Sequence, residues 1–393
     1  MSQNNPKVGI VCLGEAGNLG DDLILIAAVE AVYDCYPEAE ITYLSFGQHL
    51  DWAAVAEIRG LPKIPRAVIS KPEIPFVSQH RDYFADRDVV IFGGGGLLHS
   101  SHATNGNYLW LSYLPRSGAG YPRVLATGLG LGPFNQRWMN ILGNKRSPFD
   151  QAWMRDEYSE KLANETLKWP SKICRDFIDD EFLRPFFVAP TESSRKATVL
   201  GVALRSWPGL SIEETARHVT DVASRHGCTL VRFFVLESAQ GHGPDVEFTL
   251  AVSRLLRVKT ETIVYRADAL VSFLTAMQSV SVAVSMKLHS SAVWRASEVQ
   301  MYPIYYAPKI SSFFGKEFDG LEISRDVVAP VREESANPRA AATVATGLAT
   351  LLMRSESTGE RFDTTRYVFQ VQVIVSALWV RARNIVGKLG ARQ

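Results

Sequence analysis

Cysteine is scarce in this chain and widely scattered. Cys12, Cys35, Cys174 and Cys228 never form a Cys-x-x-Cys pair, which argues against a zinc knuckle, a redox dithiol or a disulfide scaffold and fits a reducing cytosol. Charge of one sign is also lacking. The 42 basic and 41 acidic residues leave a formal net charge of +1, so no global field attracts a polyanion such as nucleic acid, and any anion must be met by a local cluster. No apolar run is long enough to span a bilayer. The start, Met1-Ser2-Gln3-Asn4-Asn5-Pro6-Lys7, places no apolar stretch behind a basic one, so a cytoplasmic chain without a secretory signal is expected.

What is present is the composition of a folded protein. Hydrophobic residues make up 46% and charged residues 21% of 393 positions, enough apolar surface to offset chain entropy and enough length for two domains. Residues 8–13 read as a buried strand, followed by the glycine-punctuated turn 14–20 and an apolar helix over 22–33. Further strands are expected at 40–46, at 88–92 ending in Gly93-Gly94-Gly95-Gly96, and at 123–127 ending in Gly128-Leu129-Gly130-Leu131-Gly132-Pro133. Residues 150–167 look helical, and the polar segment 191–196 marks a boundary.

A second alternation follows. Strands are expected at 197–204, 229–236, 262–265, 280–284 and 301–306, with helices at 212–225, 246–256 and 269–278 between them. The reading is an α/β chain of two Rossmann-like parallel-sheet halves facing a cleft. Residues 1–190 form the first half, 197–330 the second, and 331–393 a C-terminal helical extension. The tail over 366–389 mixes Tyr367, Val371, Ile374, Leu378 and Trp379 with Arg381, Arg383 and Lys388. It reads either as a last helix packed on the body or as a basic amphipathic helix lying on a membrane surface.

Open α/β sheets bind ligands outside the carboxyl ends of their strands, so the residues at those ends are the candidate site residues. In the first half, Gly14-x-x-Gly17-x-x-Gly20 lacks the spacing of the dinucleotide fingerprint, and Asp21 and Asp22 at a helix start would repel a phosphate. Asn18 and Asp21 suit sugar hydroxyls better, although Asp21 or Asp22 is equally able to cap the helix. Gly94 and Gly95 permit close backbone approach, and a packing requirement explains a glycine run as well. His99 and His102 are three apart without a carboxylate or cysteine to complete a metal set, so no metal site is assigned. Arg155-Asp156 reads as a surface ion pair.

In the second half Arg205 ends the first strand, well shaped to hold a carboxylate or phosphate at two points. Lys287 and His289 follow the strand at 280–284, two apart and able to face the same way, and Lys309 follows the strand at 301–306. Each alone reads as a solvated or ion-paired side chain; their convergence on neighbouring strand ends favours an anion site.

Taken in order, Asn18-x-Gly20-Asp21, Gly93-Gly94-Gly95, Gly130-x-Gly132-Pro133, Arg155-Asp156-x-x-Ser159, Met286-Lys287-Leu288-His289 and Tyr306-x-x-Lys309 resemble the polysaccharide pyruvyl transferase family. The likeness runs from about Gly14 to Phe314. It implies a fold of the glycosyltransferase-B type. It also implies transfer of enolpyruvate from phosphoenolpyruvate to two hydroxyls of a sugar or lipid-linked oligosaccharide, with no further cofactor. Carried over, it has Arg205, Lys287 and His289 meet the donor. The expectation built on this is that Leu288 and Lys309 join the donor side, that His289 is the catalytic acid, and that Asn18, Asp21, Gly94, Gly95 and His99 face the acceptor. The family usually has arginine where Lys287 stands, and lysine keeps the charge but not the planar fork. Two other readings remain: a nucleotide-sugar-dependent glycosyltransferase of the same fold, and an inert sugar-binding protein. Contact with the inner face of the membrane would run through the C-terminal helix.

Overall fold

The computed structural model describes residues 5–69, 83–99, 106–115, 121–174, 177–187, 198–238, 241–306, 308–315, 322–323 and 348. The expected boundary at 191–196, the tail at 366–389 and His102 lie outside the described residues.

Two sheets carry the chain. The first contains β1 (Lys7–Gly14), β2 (Glu40–Ser45), β3 (Arg66–Ile69), β4 (Val89–Leu98), β5 (Arg123–Leu131), β6 (Gln151–Met154) and β7 (Lys172–Ile173), in the spatial order β3-β2-β1-β4-β5-β6-β7. All its pairings are parallel. The second contains β8 (Val199–Ala203), β9 (Leu230–Val235), β10 (Lys259–Val264), β11 (Val282–Ser285), β12 (Gln300–Tyr305) and β13 (Glu322–Ile323), in the order β10-β9-β8-β11-β12-β13. Its strands are parallel except for β13, which runs against β12. Each sheet therefore grows outward from its first strand, then switches to that strand's other side. The switch points fall between β1 and β4 and between β8 and β11, where such sheets open a crevice at their carboxyl ends.

Strands covered on both faces must be apolar on both, and β1 and β4 obey this. Val8, Ile10, Val89 and Ile91 face the core that contains the first helix, α1 (Leu19–Cys35), while Val11, Val90 and Phe92 face a second core around Trp110, Trp138 and Trp169. Helix α1 is apolar almost all round because it is covered on more than one side, as such a helix requires. Its cap is Asn18, whose side chain accepts the Gly20 amide at 3.0 Å, so neither Asp21 nor Asp22 caps it.

Three stretches differ from the sequence reading. Strand β4 does not stop at Gly93 but runs through all four glycines to Leu98, and β5 runs through Gly128 and Gly130 to Leu131, because Gly93 pairs with Thr127 and Gly95 with Leu129. Residues 150–167 open with the edge strand β6, whose Ala152 and Met154 are buried alternately. The helix there is confined to Glu157–Lys161, capped by Asp156, and passes into one π turn, Leu162–Leu167.

The halves are joined by main chain as well as side chains. The Leu19 amide donates to the Leu236 carbonyl at 2.9 Å and the Ser238 amide to the Gly17 carbonyl at 3.0 Å, with Asn18 and Glu237 as a one-residue antiparallel bridge. A second tie is the short helix Asp180–Leu183. Asp180 pairs with Arg295 of the second half at 2.7 Å, while the Phe182 carbonyl accepts from Arg59 of the first at 2.8 Å.

Candidate active site at the meeting of the two sheets

The turn after β1 comes directly from its glycines. Glu15 has φ +58°, a conformation non-glycine residues seldom adopt, and it is held there by burial of its carboxylate. That carboxylate accepts from the Tyr43 hydroxyl at 2.9 Å, the Leu50 amide at 2.8 Å and the Ser45 hydroxyl. The turn is thereby fixed, and it delivers Asn18, Gly20 and Asp21 to the first sheet's switch point. Next to it, Gly94 (φ +81°) lies under Ile24 of α1, where any Cβ would overlap the isoleucine methyl. Gly95 (φ +78°) lies instead beneath the Asp21 carboxylate, with Oδ1 3.2 Å from where its Cβ would stand. Asn18, Asp21 and Gly95 thus gather at one place. Gly94 is one step deeper, serving the helix-to-strand contact, and His99 is half-buried beyond the end of β4.

Arg155 belongs with this group, which the sequence reading missed. It follows β6, its side chain is 16% exposed, and its guanidinium covers Gly130 so closely that a Cβ there would stand 2.7 Å from Nη2. It also pairs with Asp156 at 3.2 Å, yet it stands at a strand's carboxyl end and not on an outer helix face.

In the second half, Arg205, Lys287 and the helix Pro308–Phe313 follow β8, β11 and β12, which are neighbours in the sheet. The backbone of Lys309 lies in that helix and its side chain is outside the described residues. The expectation that Lys287 and His289 face the same way is not met. Strand β11 ends at Ser285, Lys287 is the cap residue of the helix Leu288–Ala296, and His289 is already in its first turn. Helical geometry therefore sends the two in different directions. Lys287, only 8% exposed, points within its own half to Asp245 at 2.5 Å and Glu237 at 3.1 Å. His289 points across to the first half, where its ring covers Gly20 so closely that a Cβ there would overlap it. Leu288 is half-buried beside them.

Two carboxylates that the sequence reading did not name share the site with the cations, and Lys287 is ion-paired to both. Glu237 comes two residues after the end of β9, and Asp245 lies in the first turn of the helix Pro244–Leu255, with Oδ1 accepting the Ser206 amide at 2.8 Å. Burial pushes the Arg205 pKa down, but the Tyr306 phenol beside it, with Glu237 and Asp245, outweighs this and leaves it above the usual arginine value. Burial likewise pushes Tyr306 up, against the pull of Arg205. Arg205 also lies over Trp207, which packs edge-on against Tyr306. Glu237 was legible by the rule that found Arg205, position at a strand's carboxyl end. Asp245 had only its place after Pro244 to signal a helix start.

A further buried contact closes the interface. Asp22, wholly buried in α1, accepts the Tyr265 hydroxyl of the second half at 2.7 Å and the Glu15 amide at 2.5 Å. Burial above all, helped by the Asp21 and Glu15 charges and opposed by those two hydrogen bonds, pushes its pKa up to about 8.

Two α/β halves of parallel strands meeting at their carboxyl ends, with Asn18 and Asp21 on one side and Arg205 and Lys287 on the other, have the architecture of the glycosyltransferase-B type. Among solved structures the chain is similar to a glycosyltransferase from Rickettsia africae, at 11% identity over 95% of this chain and 94% of that one, with a TM-score of 0.50. It is equally similar to the UDP co-structure of MnaA from S. aureus, at 11% identity over 92% and 94%, with a TM-score of 0.51. At such identities the likeness shows the fold. No curated protein matches the sequence. The polysaccharide pyruvyl transferase family matches residues 18–306, most of the chain, and this protein belongs to that family.

Proposed function

We propose that the chain transfers enolpyruvate from phosphoenolpyruvate to two hydroxyls of one sugar in a glycan or lipid-linked precursor, forming a cyclic ketal and releasing phosphate. The observation that carries this reading is the position of His289, whose helix begins beside the Arg205 and Lys287 cations and whose ring lies on Gly20, between Asn18 and Asp21.

The donor carries a carboxylate and a phosphate near one carbon. Arg205 and Lys287, with Lys309 of the helix that follows the adjacent strand, neutralise them. A bound phosphate beside the imidazole favours its protonated form, so donor binding arms the acid. His289 gives its proton to the methylene carbon as the first sugar oxygen bonds to C2 and sheds its own proton. The C2–O bond to phosphate then breaks, phosphate leaving with the electron pair, and the second hydroxyl closes the ketal. Of the two hydroxyl protons released, one replaces that given to carbon and one is taken by phosphate. Asn18, Asp21 and the Gly95 backbone hold the acceptor, and docking of the halves excludes water that would otherwise hydrolyse the intermediate. The reading draws charge neutralisation from side chains and calls for no cofactor.

The test is phosphate release from phosphoenolpyruvate with lipid-linked and nitrophenyl hexosides, for the parent and His289→Ala. Acceptor-dependent release that the variant loses supports the reading. Normal turnover in the variant removes His289 from the mechanism. Thermal stabilisation by uridine or guanosine diphosphate but not by phosphoenolpyruvate transfers the reading to a nucleotide-sugar donor. Attachment to a membrane surface through the tail is checked by vesicle flotation of the full chain against one ending near Glu360.

A further inference from the structure

Lysine is a poor fixed point. Its ammonium is a compact charge on a stem with four rotatable bonds, and nothing in its own shape orients it as a guanidinium fork orients itself. A lysine that must meet a small dianion at one place therefore needs its position set from outside. The same holds for the turn after β8, where Arg205 leaves the sheet.

One side chain reaches both. Asp245 is 8% exposed, and its two oxygens do different things. Oδ1 accepts the amide of Ser206, the residue following Arg205, at 2.8 Å. Oδ2 lies 2.5 Å from the Lys287 ammonium. It is itself held by the start of its helix, where an acidic side chain is favoured by the helix dipole and Pro244 pre-sets the first turn. A rigid element thus connects the ends of β8 and β11, the two strands flanking the second sheet's switch point.

We propose that Asp245 is a positioning residue of the donor site, setting the Lys287 ammonium and the Arg205–Ser206 turn relative to each other through one carboxylate. The inference rests on the pyruvyl-transfer reading for the identity of the donor, but the two contacts do not. A simple counter-ion of the same charge would compete with the donor and depress its affinity. A positioning group lowers turnover when removed, because a displaced cation still attracts the donor but no longer meets it where charge develops.

The experiment is a double-mutant cycle with Asp245→Asn and Lys287→Met. Asparagine keeps an oxygen for the Ser206 amide and loses the charge facing the ammonium, so it isolates one of the two contacts. For Asp245→Asn the expected result is a fall in kcat of roughly ten- to a hundredfold, with KM for phosphoenolpyruvate changed less than about threefold. In the Lys287→Met background the same substitution changes kcat less than about threefold. Asp245→Ala, which also frees the Ser206 amide, falls further than Asp245→Asn. A lowered KM at unchanged kcat makes Asp245 a competitor and overturns the proposal. An equal fall in both backgrounds also overturns it, since the effect then does not pass through Lys287. Should the parent not turn over phosphoenolpyruvate with any hexoside, the functional reading fails and the cycle is read on calorimetric binding of inorganic phosphate. A rise in Kd of about fivefold for Asp245→Asn that needs Lys287 supports the positioning role; a fall in Kd, or an equal rise without Lys287, refutes it.

Discussion

The imidazole of His289, in the first turn of a helix of the second half, lies directly on the Cα of Gly20, the second residue of α1 in the first half. Within a helix, glycine costs roughly 0.5–1 kcal/mol relative to alanine, so Gly20→Ala should be mildly stabilising if helix propensity alone decided it. The overlap with the ring forces the opposite. The substitution is expected to lower turnover at least about tenfold by displacing the imidazole, and to lower Tm. A variant with raised Tm and normal turnover would show that His289 is free to work elsewhere.

Glu237 and Lys287 give a second prediction. Their contact at 3.1 Å faces solvent on the carboxylate side, where Glu237 is 46% exposed. Such a pair is worth at most about 1 kcal/mol, a factor of about five in affinity for whatever replaces it. Glu237→Gln keeps the backbone bridge to Asn18 and removes the charge, so KM for phosphoenolpyruvate should fall two- to fivefold with kcat nearly unchanged. Steady-state kinetics at saturating acceptor decides this; an increased KM shows that Glu237 helps to hold the donor.

The carboxyl ends of the second-half strands were legible in the sequence because apolar runs giving way to polar residues mark them locally, whereas the glycines of β4 and β5 lie inside those strands. Arg205 and Lys287 were found in this way, and the structure places them beside the switch point. The direction of a side chain was not legible. Lys287 and His289 diverge because the chain turns helical at Leu288, before His289, whereas a strand-like reading keeps both extended. Pairings made over long sequence separations were missed for the same reason. Arg155 over Gly130 and Lys287 with Glu237 and Asp245 exist only once strands distant in sequence are brought side by side, and Asp22 with Tyr265 only once the two halves meet. The two aspartates at the start of α1 looked interchangeable as caps. Asn18 takes that role, and this leaves Asp21 over Gly95 and Asp22 inside the interface.

Gly94 and Gly95 separate packing from site. Both have positive φ, 81° and 78°, so an alanine at either bears a similar backbone strain of about 1–3 kcal/mol. The added methyl at 94 meets the Ile24 side chain, while that at 95 meets the Asp21 carboxylate at 3.2 Å. Gly94→Ala should therefore lose more stability, and Gly95→Ala should raise KM for the sugar acceptor severalfold with little change in that for the donor. Chemical denaturation and kinetics on both variants test the pair, and equal behaviour would deny Asp21 and Gly95 an acceptor role.

Asp22 makes the stability of the molecule depend on pH in a direction opposite to that of an ordinary ion-paired carboxylate. Burial lifts its pKa from 3.8 to about 8, so between about pH 4 and 8 the folded chain keeps a proton that the unfolded chain has released. Its contribution is thus fully favourable below about pH 4, declines as pH rises, and is lost above about pH 8. One pKa unit corresponds to about 1.4 kcal/mol, so the whole window amounts to several kcal/mol. Asp22→Asn removes the titration while its amide oxygen still accepts from Glu15 and its amino group donates to the Tyr265 oxygen. Relative to the parent, this variant should gain stability steadily from pH 5.5 to 8.5, as read from denaturation midpoints. Tyr265→Phe should not reproduce the gain, since it removes a partner that stabilises the carboxylate. A constant difference between Asp22→Asn and the parent across that range would mean that Asp22 does not titrate there and that its charge is already accommodated where the halves meet.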